Sequence, residues 1–158
     1  MAQAWLDGTL RRNFQGYTDD PADALIGFGA SSIGQLPQGY VQNAADLRGW
    51  RDRIEAGGLA TVRGRLLTSG DGLRATIIER LMCDLRADVP AILDRCGFPA
   101  GWLDREMDAL QALEADGLVR VDCGVLTVPE PMRNLVRRVA SVFDAYLDPA
   151  SGRHAVAV

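Results

Sequence analysis

The sequence contains no lysine. All 17 basic residues are arginine, set against 21 acidic ones, for a formal net charge of −4 in 158 residues. An acidic chain offers phosphate backbones little neutralising charge, which argues against nucleic acid as a partner. Histidine occurs once, as His154 in a small, polar C-terminal tail, so no His-based metal or base constellation can be built. The three cysteines, Cys83, Cys96 and Cys123, are scattered and form no C-x-x-C pair. They read as reduced, buried thiols of a cytoplasmic protein, with no metal site among them. No apolar run reaches the length of a membrane span, and the N-terminus lacks the shape of a signal peptide. What is abundant is ordinary: 47% hydrophobic residues, enough for a core in one domain or one domain plus an appendage.

The chain divides by pattern into residues 1–68, 69–148 and a flexible tail, 149–158. "AWLDGTLRR" reads as the end of a helix, with Trp5, Leu6 and Leu10 apolar. "ALIGFGAS" and "GYVQN" are expected to be short strands, joined by a turn over Gln35 to Gln38. Asn43 is expected to cap a helix whose apolar face is Leu47, Trp50 and Ile54 and which ends at Gly57-Gly58. "LATVRGRLLT" should be extended.

From Ser69 or Asp71 the pattern turns helical. Leu73, Ile77, Leu81 and Leu85 recur every four residues, with Ile78 widening the stripe. Asp88 should cap a short helix from Pro90 to Cys96, stopped by Gly97. A helix from Pro99 to Asp116 follows, with Leu103, Met107, Leu110 and Leu113 facing inward. "LVRVDCGVLTV" predicts a hairpin turning at Asp122-Cys123-Gly124. Thr127 with Glu130 resembles a capping box for a last helix buried through Leu135, Val139, Val142 or Phe143, and Tyr146. The predicted fold is α+β and mostly helical. It is a winged-helix-like bundle with a two-stranded wing, preceded by a short strand-containing segment.

Several stretches invite functional readings and fail them. "GFGASSIG" has Gly27 and Gly29 but no following amphipathic helix to hold a pyrophosphate. The helix that would enter a DNA groove carries Asp104, Glu106, Asp108, Glu114 and Asp116 against the single Arg105. Arg133 and Arg137 lie one helical turn apart and could grip carboxylates, although a solvated face explains them as well. No catalytic constellation is visible in the chain.

"RRNFQGYT", then "DALIGFGASSIG", then "GYVQN" resemble the oxygen-independent coproporphyrinogen III oxidases, or dehydrogenases, of the radical S-adenosylmethionine superfamily. The likeness continues in order through "RLMCDLRAD", "LEADGLV" and "RNL…FDAYL". It covers only the C-terminal part of that family. The family's (β/α) barrel, with a C-x-x-x-C-x-x-C loop that holds a [4Fe–4S] cluster, is not in this sequence. The chain is therefore expected to be an excised domain or a truncated relative, inactive by itself and binding no cofactor alone.

The resemblance implies its parent's chemistry. A reduced cluster cleaves S-adenosylmethionine, and the resulting radical takes hydrogen from a propionate of coproporphyrinogen III. Loss of carbon dioxide and an electron leaves a vinyl group, leading to protoporphyrinogen IX. It also implies that Phe14, Gln15 and Ile33 wall the S-adenosylmethionine site, with Arg133 and Arg137 as propionate contacts. The implied partner is the barrel of the same protein, over which the helical part acts as a lid. Two other readings stand beside this one: a free-standing winged-helix-like module that binds protein, and a heme-trafficking relative.

Overall fold

The structure, a computed structural model, describes residues 1–13 and 16–147. Asp20–Thr68 form one compact unit, and Met1–Asp19 fold with the chain from Ser69 onward to form another. The first residues group with the C-terminal helices rather than with their sequence neighbours.

The chain begins with a short helix, α1 (Ala2–Leu6), which ends at Gly8 in the left-handed region. Strands β1 (Arg11–Asn13) and β2 (Gly16–Thr18) pair antiparallel from Arg11↔Thr18 to Asn13↔Gly16. Phe14 and Gln15 lie outside the described residues.

In the unit of residues 20–68, β3 (Ile33–Leu36), β4 (Gly39–Asn43) and β5 (Thr61–Leu66) form an antiparallel sheet in that order. Helix α2 (Leu47–Glu55) connects β4 to β5. The expected strand at "ALIGFGAS" reduces to one bridge, Leu25↔Gln35, and the following Ile26 and Phe28 are exposed. The expected turn narrows to Pro37 and Gln38, because Gln35 and Leu36 belong to β3. Asn43 does not cap α2. Asp46 does, its Oδ1 accepting from the Gly49 amide at 2.6 Å, while Asn43 ends β4. The unit buries only Gly34, Gly39, Ala44 and Ala60, so it holds no large side chain in a core of its own. Leu47 and Ile54, expected on a packed helix face, are exposed.

The other unit has the core. Helix α3 (Ser69–Asp84) buries Leu73, Ile77 and Leu81, and Leu85 just beyond it is buried too, as the four-residue spacing requires. Strand β6 (Arg86–Asp88) leads into α4 (Val89–Cys96), where Asp88 accepts from the Ala91 amide and Gly97 adopts the left-handed stop. A 3-10 turn, Ala100–Leu103, precedes α5 (Asp104–Ala115). Strands β7 (Arg120–Asp122) and β8 (Val125–Thr127) form the wing, and both turn residues, Cys123 and Gly124, have positive φ. This is the backbone that a tight two-residue hairpin demands. The wing is wider than expected: β6 pairs with β8, giving three strands in the order β6-β8-β7. Thr127 ends β8 instead of capping a helix, and the last helix is broken into the 3-10 turn Glu130–Leu135, α6 (Val136–Ala140) and the 3-10 turn Ser141–Phe143. Leu110, Leu126, Val139 and Phe143 meet α3 in one fully buried cluster, whereas Tyr146 is exposed.

Candidate functional site

The glycine-rich loop before β3 is built by its own sequence and by one distant side chain. Gly29 has φ near +95° and Ser31 near +60°, so the loop bends where only glycine is comfortable and a serine is strained. A Cβ on Gly27 would sit 2.8 Å from the Ile33 carbonyl oxygen, which explains the glycine there. The Asn43 amide nitrogen donates to the Gly29 carbonyl at 3.0 Å and to Ser32 Oγ at 3.1 Å, with the Gly27 carbonyl at 3.4 Å. Ser32 Oγ donates onward to Gly29 O at 2.8 Å. Backbone bonds add to this staple: Asn43 N to Ser32 O, and Ser31 N to Ala44 O. The next residue, Ile33, opens β3 opposite Gln42 and is half-buried. Loop carbonyls that would otherwise need a strand partner are thereby satisfied by a side chain.

The other unit carries a groove of about 690 Å³. Leu10, Met82, Cys83, Leu85 and Val136 give it an apolar floor, and Trp5, Tyr17, Arg12, Arg133 and Arg137 stand around it. Arg133 and Arg137 thus share one groove, as their helical spacing allows. They are presented differently. Arg133 is engaged by Glu130 through two bonds, Nε to Oε1 at 2.8 Å and Nη2 to Oε2 at 3.0 Å, and its guanidinium lies 5.9 Å from the Trp5 ring. Its bond to Glu130 holds the Glu130 carboxyl below its ordinary range and raises Arg133. Arg12 and Arg137 make no side-chain ion pair among the described residues. Arg12 did not stand out in the sequence. The available signal was its place beside an aromatic hairpin, which becomes informative only once the groove exists.

The hairpin that flanks Phe14 and Gln15 is pinned to α3. Arg12 N donates to Glu79 at 3.2 Å and Tyr17 Oη to the Met82 carbonyl at 3.1 Å. Just upstream, Arg80 donates to the carbonyls of Leu10 at 2.8 Å and Gly8 at 3.1 Å, and pairs with Asp84 at 2.7 Å. Burial raises the Asp84 carboxyl, and its pairing with Arg80 opposes that rise.

The thiols do not make a cluster site. Cys83 is buried, while Cys96 and Cys123 are exposed, against the expectation that all were buried. Burial first, then the Glu79 carboxylate, pushes the Cys83 thiol up to about 11, so it stays protonated near neutrality. Among the described residues no group of three His, Cys, Asp or Glu side chains could hold a metal ion. The donor set therefore does not fit an iron–sulfur cluster. No helix among the described residues is long and apolar enough to cross a membrane.

No family model matches the sequence. The chain is 49% identical over its whole length to the oxygen-independent coproporphyrinogen III oxidase of Bradyrhizobium diazoefficiens, and spans 35% of that protein. It is 40% identical over its whole length to the enzyme of the same name from Paracoccus denitrificans, again spanning 35% of it. Among solved structures, coproporphyrinogen III oxidase from Escherichia coli, described as a radical SAM enzyme, superimposes with a TM-score of 0.86. The identity is 34%, over 92% of this chain and 34% of that one. The chain thus spans about a third of the length of the curated relatives it matches. In sequence and in fold the chain matches the C-terminal part of oxygen-independent coproporphyrinogen III oxidases.

Proposed function

We propose that this chain is the C-terminal domain of a cytoplasmic coproporphyrinogen III dehydrogenase, an enzyme that converts propionates of coproporphyrinogen III to the vinyl groups of protoporphyrinogen IX. The observation that carries this reading is the likeness to the Escherichia coli oxidase, with a TM-score of 0.86 at 34% identity. When bound by the rest of the enzyme, a [4Fe–4S] cluster and S-adenosylmethionine supply the radical chemistry, and protein groups position and shield it. The cluster belongs to the N-terminal part, since the thiols here do not fit one.

This chain's residues bind and exclude water. Ile33 offers an apolar wall to S-adenosylmethionine, and Phe14 and Gln15 supply a flat ring and an amide to the same cofactor. Arg137 and Arg12 hold substrate carboxylates with guanidinium forks that are not already committed. Arg133, clasped by Glu130, is the weaker carboxylate ligand of the three. The exposed Ile26, Phe28, Leu59 and Leu66 cover apolar surface of the N-terminal barrel, their unit having no core to bury them.

The test is a hybrid enzyme in which this chain replaces the C-terminal third of the Bradyrhizobium oxidase. Anaerobic turnover of coproporphyrinogen III with S-adenosylmethionine and a reductant is the expected result. A soluble hybrid that keeps its cluster absorbance yet forms no protoporphyrinogen overturns the reading.

A further inference from the structure

We infer that Asn43 is the positioning residue of the Ile33 wall, through its hold on the loop from Gly27 to Ser32. This rests on the role given to Ile33 above. An asparagine amide has two hydrogens to donate and a carbonyl to accept. Here the nitrogen serves Gly29 O and Ser32 Oγ, and Oδ1 accepts from Thr61 Oγ1 at 3.4 Å. That last bond comes from β5 and sets which way the amide faces. Asn43 therefore ties together three segments: the loop, its own strand β4, and β5.

The loop needs such a tie. Its backbone is strained at Ser31, its Phe28 side chain is 89% exposed, and its unit has no large buried residue to anchor it. Strained backbone persists only where surrounding bonds over-determine it. Ser32, bonded to Asn43 through both its carbonyl and its hydroxyl, immediately precedes Ile33. A ligand wall held in this way is organised before the ligand arrives, which improves binding by lowering the ordering cost. Asparagine and aspartate have the same shape, but aspartate cannot donate. Asn43→Asp would turn an oxygen toward the acceptors at Gly29 and Ser32.

The experiment uses the hybrid enzyme described above. In Asn43→Asp, KM for S-adenosylmethionine should rise about tenfold, with kcat falling less than about threefold. A protein merely less folded would lose active fraction, lowering apparent kcat and leaving KM alone. Thr61→Val, which frees the amide to turn, should shift KM the same way by a smaller factor. Ile33→Ala combined with Asn43→Asp should raise KM by less than the product of the single effects. In this chain alone, hydrogen exchange at the Ser31 and Asn43 amides should quicken in Asn43→Asp. Faster exchange with an unchanged KM, or single effects that multiply fully, overturns the positioning role while leaving the proposed function standing. A wild-type hybrid with its cluster but no turnover overturns the functional reading itself, and this inference with it.

Discussion

Glu130 clasps both arms of the Arg133 guanidinium, with N–O distances of 2.8 and 3.0 Å, at the start of a 3-10 turn beside the arginine-rimmed groove. The pairing lowers the Glu130 carboxyl and raises Arg133. A group whose folded value is depressed contributes stability above its unfolded value and loses it as pH falls through the folded one. The Glu130–Arg133 bond should therefore persist at neutral pH and dissolve only in acid, below the ordinary glutamate value of 4.5. Carboxyl NMR titration should place Glu130 below that value, and Arg133→Met should move it back up. An unmoved midpoint in the variant would show that the pair is not formed in solution.

The same clasp ranks the groove arginines. In the hybrid enzyme, Arg137→Ala should raise KM for coproporphyrinogen III by more than Arg133→Ala does. A fork already spent on Glu130 must first be released before it can hold a second carboxylate. Equal effects, or the reverse order, would overturn this ranking, and an unchanged KM in Arg137→Ala would remove Arg137 from the proposed carboxylate contacts.

Thiol reactivity should follow burial and local charge. Near neutral pH an alkylating reagent should modify Cys96 and Cys123 in the native chain and reach Cys83 only in denaturant. Its burial and its raised value of about 11 both protect Cys83. Hydrogen bonding and charge from Asp122 raise Cys123, so its alkylation should quicken as pH increases. Peptide mass spectrometry over a pH series measures all three.

Arg74 pairs with Glu106 and stacks 4.5 Å from the centre of the Trp102 ring, joining α3 to α5 with both side chains largely covered. Arg74→Met alone should cost about 3 kcal/mol by urea unfolding, because it strands a covered carboxylate. The double change Arg74→Met with Glu106→Leu should recover most of that loss. If the double variant is less stable than the single one, the stranded-charge explanation is wrong.

Phe143 is fully buried against α3 and α5 although it lies in a three-residue 3-10 turn. Phe143→Ala should destabilise the unit that contains it by about 3–5 kcal/mol, the usual range for removing a buried aromatic ring. Thermal unfolding checks this. A loss under about 1 kcal/mol would mean that the site collapses around the cavity.

Some of this architecture was readable along the chain. The α3 stripe, the Asp88 cap, the left-handed stops at Gly57 and Gly97, and the turn at Cys123-Gly124 all appear where the pattern puts them. Each depends on residues within a few positions of one another. The part played by Arg133 was only half readable: its spacings from Arg137 and from Glu130 are both local, but which of them engages it is seen only in the folded turn Glu130–Leu135. Thr127 failed as a cap because β6, from well upstream, claims β8 as the middle strand of the wing.

Periodicity, capping and turn chemistry were thus sufficient for most element types and for the α3 stripe, because these signals act through neighbouring backbone, while the family likeness rested on the resemblance of motifs such as "RRNFQGYT" and "DALIGFGASSIG". Folding in three dimensions alone could turn Asn43 from a presumed helix cap into the staple of a glycine loop, send Met1–Asp19 to join α3, and gather Arg12, Arg133 and Arg137 around one groove. Those outcomes depend on partners far apart in sequence, such as Arg80 reaching the carbonyls of Gly8 and Leu10. A side chain's local propensity carries no information about which distant donor or acceptor it will meet.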